Sequence, residues 1–221
     1  VIFFGALAAQ CVDRGLAVQV AYLVNHYDWQ PRPQELLDAL WTMGIRHYPV
    51  IGPFPDHYVL SLEAAQQSFG EENVIAYQVG LLRRFKPLVA VGHDREGEYG
   101  HGAHRLNALA LEQAVVYAAD ASYDAESAAQ YGVWDTPKLY LHFADENPIF
   151  LDVETPLASF GGKTAFEVAS EAMLCHESQL QYAHRPTLES AEFPRYDCRR
   201  FGLVRSLVGA DTGNDIMENL C

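Results

Sequence analysis

Three imidazoles and three carboxylates crowd into the thirteen residues Gly92-His93-Asp94-Arg95-Glu96-Gly97-Glu98-Tyr99-Gly100-His101-Gly102-Ala103-His104. Neutral imidazole is the commonest metal ligand and a proton shuttle near pH 7. On the first turn of a helix, residues three apart lie on one face, so His101 and His104 can address one small volume. With nine histidines in the chain, roughly 0.4 His-x-x-His pairs arise by chance, so the spacing by itself carries little. Its weight comes from the glycines at 97, 100 and 102, the dense carboxylates and the place of the block in the chain. Metal binding with acid–base chemistry is the functional reading; a polar loop with a solvated helix start is the alternative.

The elements around the block would position it at a sheet edge. The apolar run 87–91 predicts a short buried strand, and the apolar spacing from 104 to 119 predicts a helix. The histidine pair therefore falls where a strand hands over to a helix, the edge at which open α/β sheets bind ligands. Upstream, residues 1–12 carry the stripe of a buried helix and 18–24 a strand. Residues 34–44 predict a helix, 47–51 a strand and 71–85 a helix with acids in its first turn and Arg83-Arg84 in its last, as the dipole favours. Residues 138–143 predict a strand and 164–182 a late helix, and the tail from Arg185 reads as irregular. Alternating strands and helices argue an α/β fold of Rossmann-like, doubly wound type, its mostly parallel sheet flanked by helices. A helix–strand unit normally follows another strand, so the first strand is expected to be missing upstream of Val1, together with any export signal.

Several stretches together resemble the LmbE-like, or PIG-L, family of zinc-dependent de-N-acetylases acting on N-acetylglucosamine-type sugars. His101 and His104 match the family's Gly-His-x-x-His motif, and Arg32-Pro33-Gln34-Glu35 resembles its Arg-x-x-Glu helix start. Met43-Gly44-Ile45 resembles its Leu-Gly-Ile turn, and His176-Glu177-Ser178-Gln179 a late His-x-Ser-Gln helix. The resemblance spans nearly the whole chain in the right order, implying one deacetylase domain over 1–221. It implies Zn2+ or another divalent metal held by His104, with His101 supporting the ligand or stabilising the oxyanion; the alternative for His101 is a helix-capping or solvent-facing histidine. It also implies a sugar contact for Arg32; the alternative there is an exposed arginine at a helix start. Asp56, in a loop after a strand, either accepts from sugar hydroxyls or shapes a turn. Asp94 either orients one of the imidazoles or is an ordinary loop acid.

The family's His-Pro-Asp-Asp-Glu motif, source of two metal ligands and the general base, does not occur in the 221 residues. A catalytic zinc needs three protein ligands and an open position, so by this reading the chain as written is expected to be inactive. Two functions stand: a zinc amidase removing an N-acetyl group from a sugar conjugate, and a carbohydrate-binding protein of the same fold that has lost catalysis. The expected partner is a small N-acetylated sugar. A formal charge of −14 argues against a nucleic-acid partner, and no run approaches the roughly 20 apolar residues of a membrane span. Cys11, Cys175, Cys198 and Cys221 show no Cys-x-x-Cys spacing, which disfavours a structural zinc site.

Overall fold

Helix α1 (Gly5–Asp13) sets the first layer of packing. Its buried residues are mostly small, Gly5, Ala6, Ala9 and Cys11 beside Leu7, and a Cβ at Gly5 would stand 2.9 Å from the Ala169 Cβ, so this helix packs close against a later one, α7 (Ala165–Leu174). The computed structural model describes residues 1–181 and 186–220. The expected late helix ends on Tyr182 and the expected tail begins on Arg185; these residues and Cys221 lie outside the described residues. By packing, the chain divides into a first unit, Val1–Pro55 with Leu151–Arg199, and a second, Asp56–Phe150 with Arg200–Cys221.

In the first unit, strand β1 (Val24–Asn25) leads to α2 (Arg32–Thr42), which also packs on α7. β1 pairs in parallel with β2 (Phe54–Pro55). The strands expected over 18–24 and 47–51 shrink to this pair and a bridge between Ala21 and Val50. The physical reason lies at 52–53: Pro53 has no N–H to give the ladder, and Gly52 sits so close to the Leu23 carbonyl that a Cβ would lie 1.8 Å away. A capping box between Thr164 and Glu167 starts α7. The helix expected to reach 182 stops at Leu174, and a 3₁₀ turn, Glu177–Gln179, follows.

The second unit holds α3 (Leu62–Phe69), α4 (Glu71–Phe85), α5 (Gly102–Tyr117) and α6 (Ala125–Tyr131). Its sheet contains β3 (Val89–Gly92), β4 (Lys138–His142), β5 (Pro148–Phe150) and β6 (Arg200–Ser206), in the order β3-β4-β6-β5. β3 and β4 are parallel, whereas β6 is antiparallel to both β4 and β5. The fold is thus mixed α/β, and this sheet is less parallel than the sequence pattern suggested. The tail, read as irregular, supplies its inner strand: Phe201, Gly202 and Leu203 are buried. A strand that arrives through a long connection is not bound to the parallel crossover that links β3 to β4.

Two buried cations brace this unit. Arg83, fully buried, does not serve its own helix end. It donates to the carbonyls of Tyr117 at 3.1 Å, Ala118 at 3.2 Å and Asp120 at 2.7 Å, closing the end of α5. Lys138 Nζ lies 2.6 Å from Asp211 Oδ1 and also donates to the carbonyls of Ile216 and Glu218. Among the described residues no helix is long and apolar enough to cross a membrane.

Candidate metal and catalytic site

Parallel pairing decides which residues share the sheet edge. β3 and β4 run in register from Val89 opposite Lys138 to Gly92 opposite Leu141. The next residue along each chain segment is a histidine, His93 just past the end of β3 and His142 the last residue of β4, so the register brings two imidazoles to one end of the sheet. Between β3 and α5 the chain turns tightly. Gly97 (φ 70°) and Tyr99 (φ 61°) both adopt left-handed backbone, which is unusual for a tyrosine. A Cβ on Gly97 would lie 2.4 Å from the His101 carbonyl oxygen. Arg95 fastens the turn from outside, reaching Glu112 at 2.5 Å and Glu146 at 2.5 Å.

The turn carries Glu98 inward, where it is 3% exposed. Its Oε1 accepts from His142 Nδ1 at 2.9 Å and from the Asp94 backbone N–H at 3.3 Å. Its Oε2 lies 2.9 Å from His93 Nδ1 and 2.8 Å from His104 Nδ1. The His104 contact is close in distance but not aligned as a hydrogen bond, and His104 Nδ1 is buried with no hydrogen-bond partner. The His93 and His104 rings stack with centroids 4.0 Å apart. Burial alone would raise the Glu98 pKa, but the imidazoles of His93, His104 and His142 outweigh it and hold the carboxyl far below the usual carboxylate range. Glu98 is therefore an ionised, buried carboxylate faced by imidazoles and one amide.

His101 and His104 occupy the start of α5 as their spacing required. The helix begins at Gly102, two residues before the expected start, and His101 is its N-cap residue. A side chain at Gly102 is impossible, because a Cβ would lie 2.1 Å from the Ser61 carbonyl oxygen. The two rings are 4.7 Å apart, and Tyr58, 79% exposed, meets His101 edge-on at 5.5 Å. Burial lowers the pKa of both histidines, aided at His101 by His104 and at His104 by His93. Asp56, in the same unit, opposes the fall at His101.

Asp94 stands beside this cluster, in the loop between β3 and α5. Its Oδ1 accepts from the Glu96 backbone N–H at 3.1 Å, an Asx turn that helps close the loop. The carboxylate that meets the imidazoles is Glu98. Burial raises the Asp94 pKa, with the Glu98 charge adding to it. Arg32 belongs to the first unit, at the start of α2, with its guanidinium 5.8 Å from the Trp29 ring and Nη2 3.4 Å from His26 Nε2. Its Nε is buried without a hydrogen bond.

Three side chains, His93, Glu98 and His104, bring ligand atoms within 4.8 Å of one another. Two imidazole nitrogens and a carboxylate oxygen form a donor set suited to zinc. A buried carboxylate whose neighbours are imidazoles, and a buried imidazole nitrogen without a hydrogen bond, are both relieved by a shared cation. The residues present fit a divalent metal. Sequence reasoning passed over His93 and Glu98 as members of the site and did not reach His142. The signal for His142 was a histidine closing the apolar strand 138–142, next to a strand that runs into the His93 block.

No family model matches the chain. It is 28% identical over 214 residues to 1D-myo-inositol 2-acetamido-2-deoxy-alpha-D-glucopyranoside deacetylase 2 of Saccharopolyspora erythraea, covering 85% of this chain and 76% of that one. The N,N'-diacetylchitobiose deacetylase of Pyrococcus horikoshii, solved with an inhibitor, superposes with a TM-score of 0.59 at 14% identity. That match covers 80% of this chain but only 65% of the deacetylase, less than two thirds. The 4-carboxy-2-hydroxymuconate hydratase of Pseudomonas putida KT2440 gives a TM-score of 0.58 at 16% identity, over 94% of this chain and 92% of the hydratase. The structures share the fold, and a fold of this kind carries more than one reaction.

Proposed function

Taking the chain as an LmbE-like, or PIG-L, protein, we propose that it is a metal-dependent de-N-acetylase acting on a small N-acetylglucosamine-type conjugate. The observation that carries this reading is the convergence of His93, Glu98 and His104 at the end of β3. The relative supplies the reaction class. His93, Glu98 and His104 would hold Zn2+ from within this chain. A bound zinc polarises an amide carbonyl and acidifies water.

Around such a metal the chain's own groups would add charge stabilisation and orientation. His101, kept neutral by burial, offers an N–H to the acetamide oxygen as negative charge grows there; one such donor contributes about 10²–10³ in rate. Asp94 keeps the 94–98 turn closed through its bond to Glu96, and so keeps Glu98 under the imidazoles. By the family resemblance, Arg32 and Asp56 contact sugar hydroxyls. The same reading makes the fold doubly wound.

Two measurements on the chain test the reading: zinc content after dialysis against trace metal, and acetate release from an N-acetylglucosaminyl conjugate. One zinc per chain with zinc-dependent acetate release supports it. Zinc binding without acetate release, with hydration of 4-carboxy-2-hydroxymuconate instead, would replace deacetylation by the hydratase's chemistry. No zinc at all removes the metal from the proposal.

A further inference from the structure

We infer that His142 is a positioning residue of this metal site, holding Glu98 so that one carboxylate oxygen faces the metal-binding histidines. The inference rests on the reading that His93, Glu98 and His104 take a metal. The two oxygens of Glu98 have different surroundings. Oε2 faces His93 and His104, while Oε1 is taken by His142 Nδ1 at 2.9 Å and the Asp94 amide at 3.3 Å. A carboxylate that binds a metal through Oε2 only accepts at Oε1, so His142 presents Nδ1–H to it, which fixes the tautomer of the ring.

His142 is built to hold still. It is fully buried, its ring stacks on Phe143 with centroids 3.9 Å apart, and Phe201 lies 5.3 Å away on β6. Its backbone belongs to β4, between β3 and β6. Glu98, by contrast, rides on a turn in left-handed backbone on both sides, Gly97 and Tyr99. A side chain on such a turn needs an anchor on a rigid element, and the sheet supplies it through His142. Hydrogen bonds to a ligating carboxylate set its orientation, and their loss typically weakens metal binding by about 10–100-fold.

The test measures zinc affinity of the full chain by competition with a chromophoric chelator, in wild type, His142→Phe and His142→Asn. Asparagine returns an N–H close to the position of Nδ1. The expected result is wild-type affinity for His142→Asn and a loss of about 10–100-fold for His142→Phe. Equal zinc affinity in wild type and His142→Phe overturns the inference while leaving the metal site standing, and so does a failure of asparagine to rescue. A wild-type chain that takes no zinc overturns the metal reading itself and the inference with it. Should His142→Phe not fold, His142→Gln replaces it, since its amide reaches past the Nδ1 position. Tighter zinc binding by the asparagine variant than by the glutamine variant then supports the inference, and equal binding overturns it.

Discussion

Glu35 and Ser178 stand 143 residues apart in sequence, yet Ser178 satisfies both oxygens of the Glu35 carboxylate. The Ser178 backbone N–H donates to Oε1 and its hydroxyl to Oε2, each at 2.7 Å. This pair joins the beginning of α2 to the turn after α7, and Glu35 is 6% exposed. Glu35→Ala leaves two donors without an acceptor, at a cost of about 1–3 kcal/mol. For a chain of this size the melting temperature should fall by about 2–4 °C per kcal/mol. A double-mutant cycle with Ser178→Ala checks the link, and strict additivity of the single variants would deny it.

His176, two residues before Ser178, gives stability a dependence on pH. Burial, with the Arg32 charge adding, pushes its pKa down to about 4. The unfolded chain takes this proton near pH 6.5, whereas the folded protein resists it until about pH 4. The contribution is therefore complete above about pH 6.5 and is lost progressively as pH falls towards 4. Melting temperatures of wild type and His176→Asn between pH 4 and 7.5 should converge at the acid end and diverge at the neutral end. Parallel curves across that range would rule the contribution out.

Lys138 and Asp211 form an ion pair with both side chains fully buried, and the Tyr140 hydroxyl also donates to Asp211. Removing one charge strands the other. Lys138→Met should cost about 3–5 kcal/mol in urea unfolding, and adding Asp211→Asn should recover part of it. A single variant destabilised by less than about 1 kcal/mol would mean that the pair is solvated in solution.

The two α5 histidines should separate in a metal assay. His104→Ala should lose zinc, whereas His101→Ala should keep it and lose about 10²–10³ in turnover. Zinc retained at full occupancy without the His104 imidazole would remove that residue from the metal's ligands.

Local periodicity and end signals were enough to place several elements from sequence. The acids and arginines of 71–85 marked α4, now found at Glu71–Phe85, and the apolar runs marked β3 and β4 within a residue or two. The placing of His101 and His104 at the junction of β3 and α5 followed from the same local rules, because a helix start and a strand end are written within a few residues of each other. What the residues could not decide is non-local. The parallel register of β3 on β4 sets His142 beside His93, and a turn in left-handed backbone brings Glu98 beneath both. No spacing along the chain encodes the approach of His142 to either of them. The antiparallel insertion of β6 between β4 and β5 is of the same kind. So is the early stop of α7, whose helical pattern continues past Leu174 until Ser178 turns aside to Glu35. Except for the local contacts of Glu98 with His93 and His104, the deciding bonds join residues remote in sequence, and only the packed chain brings such partners within reach.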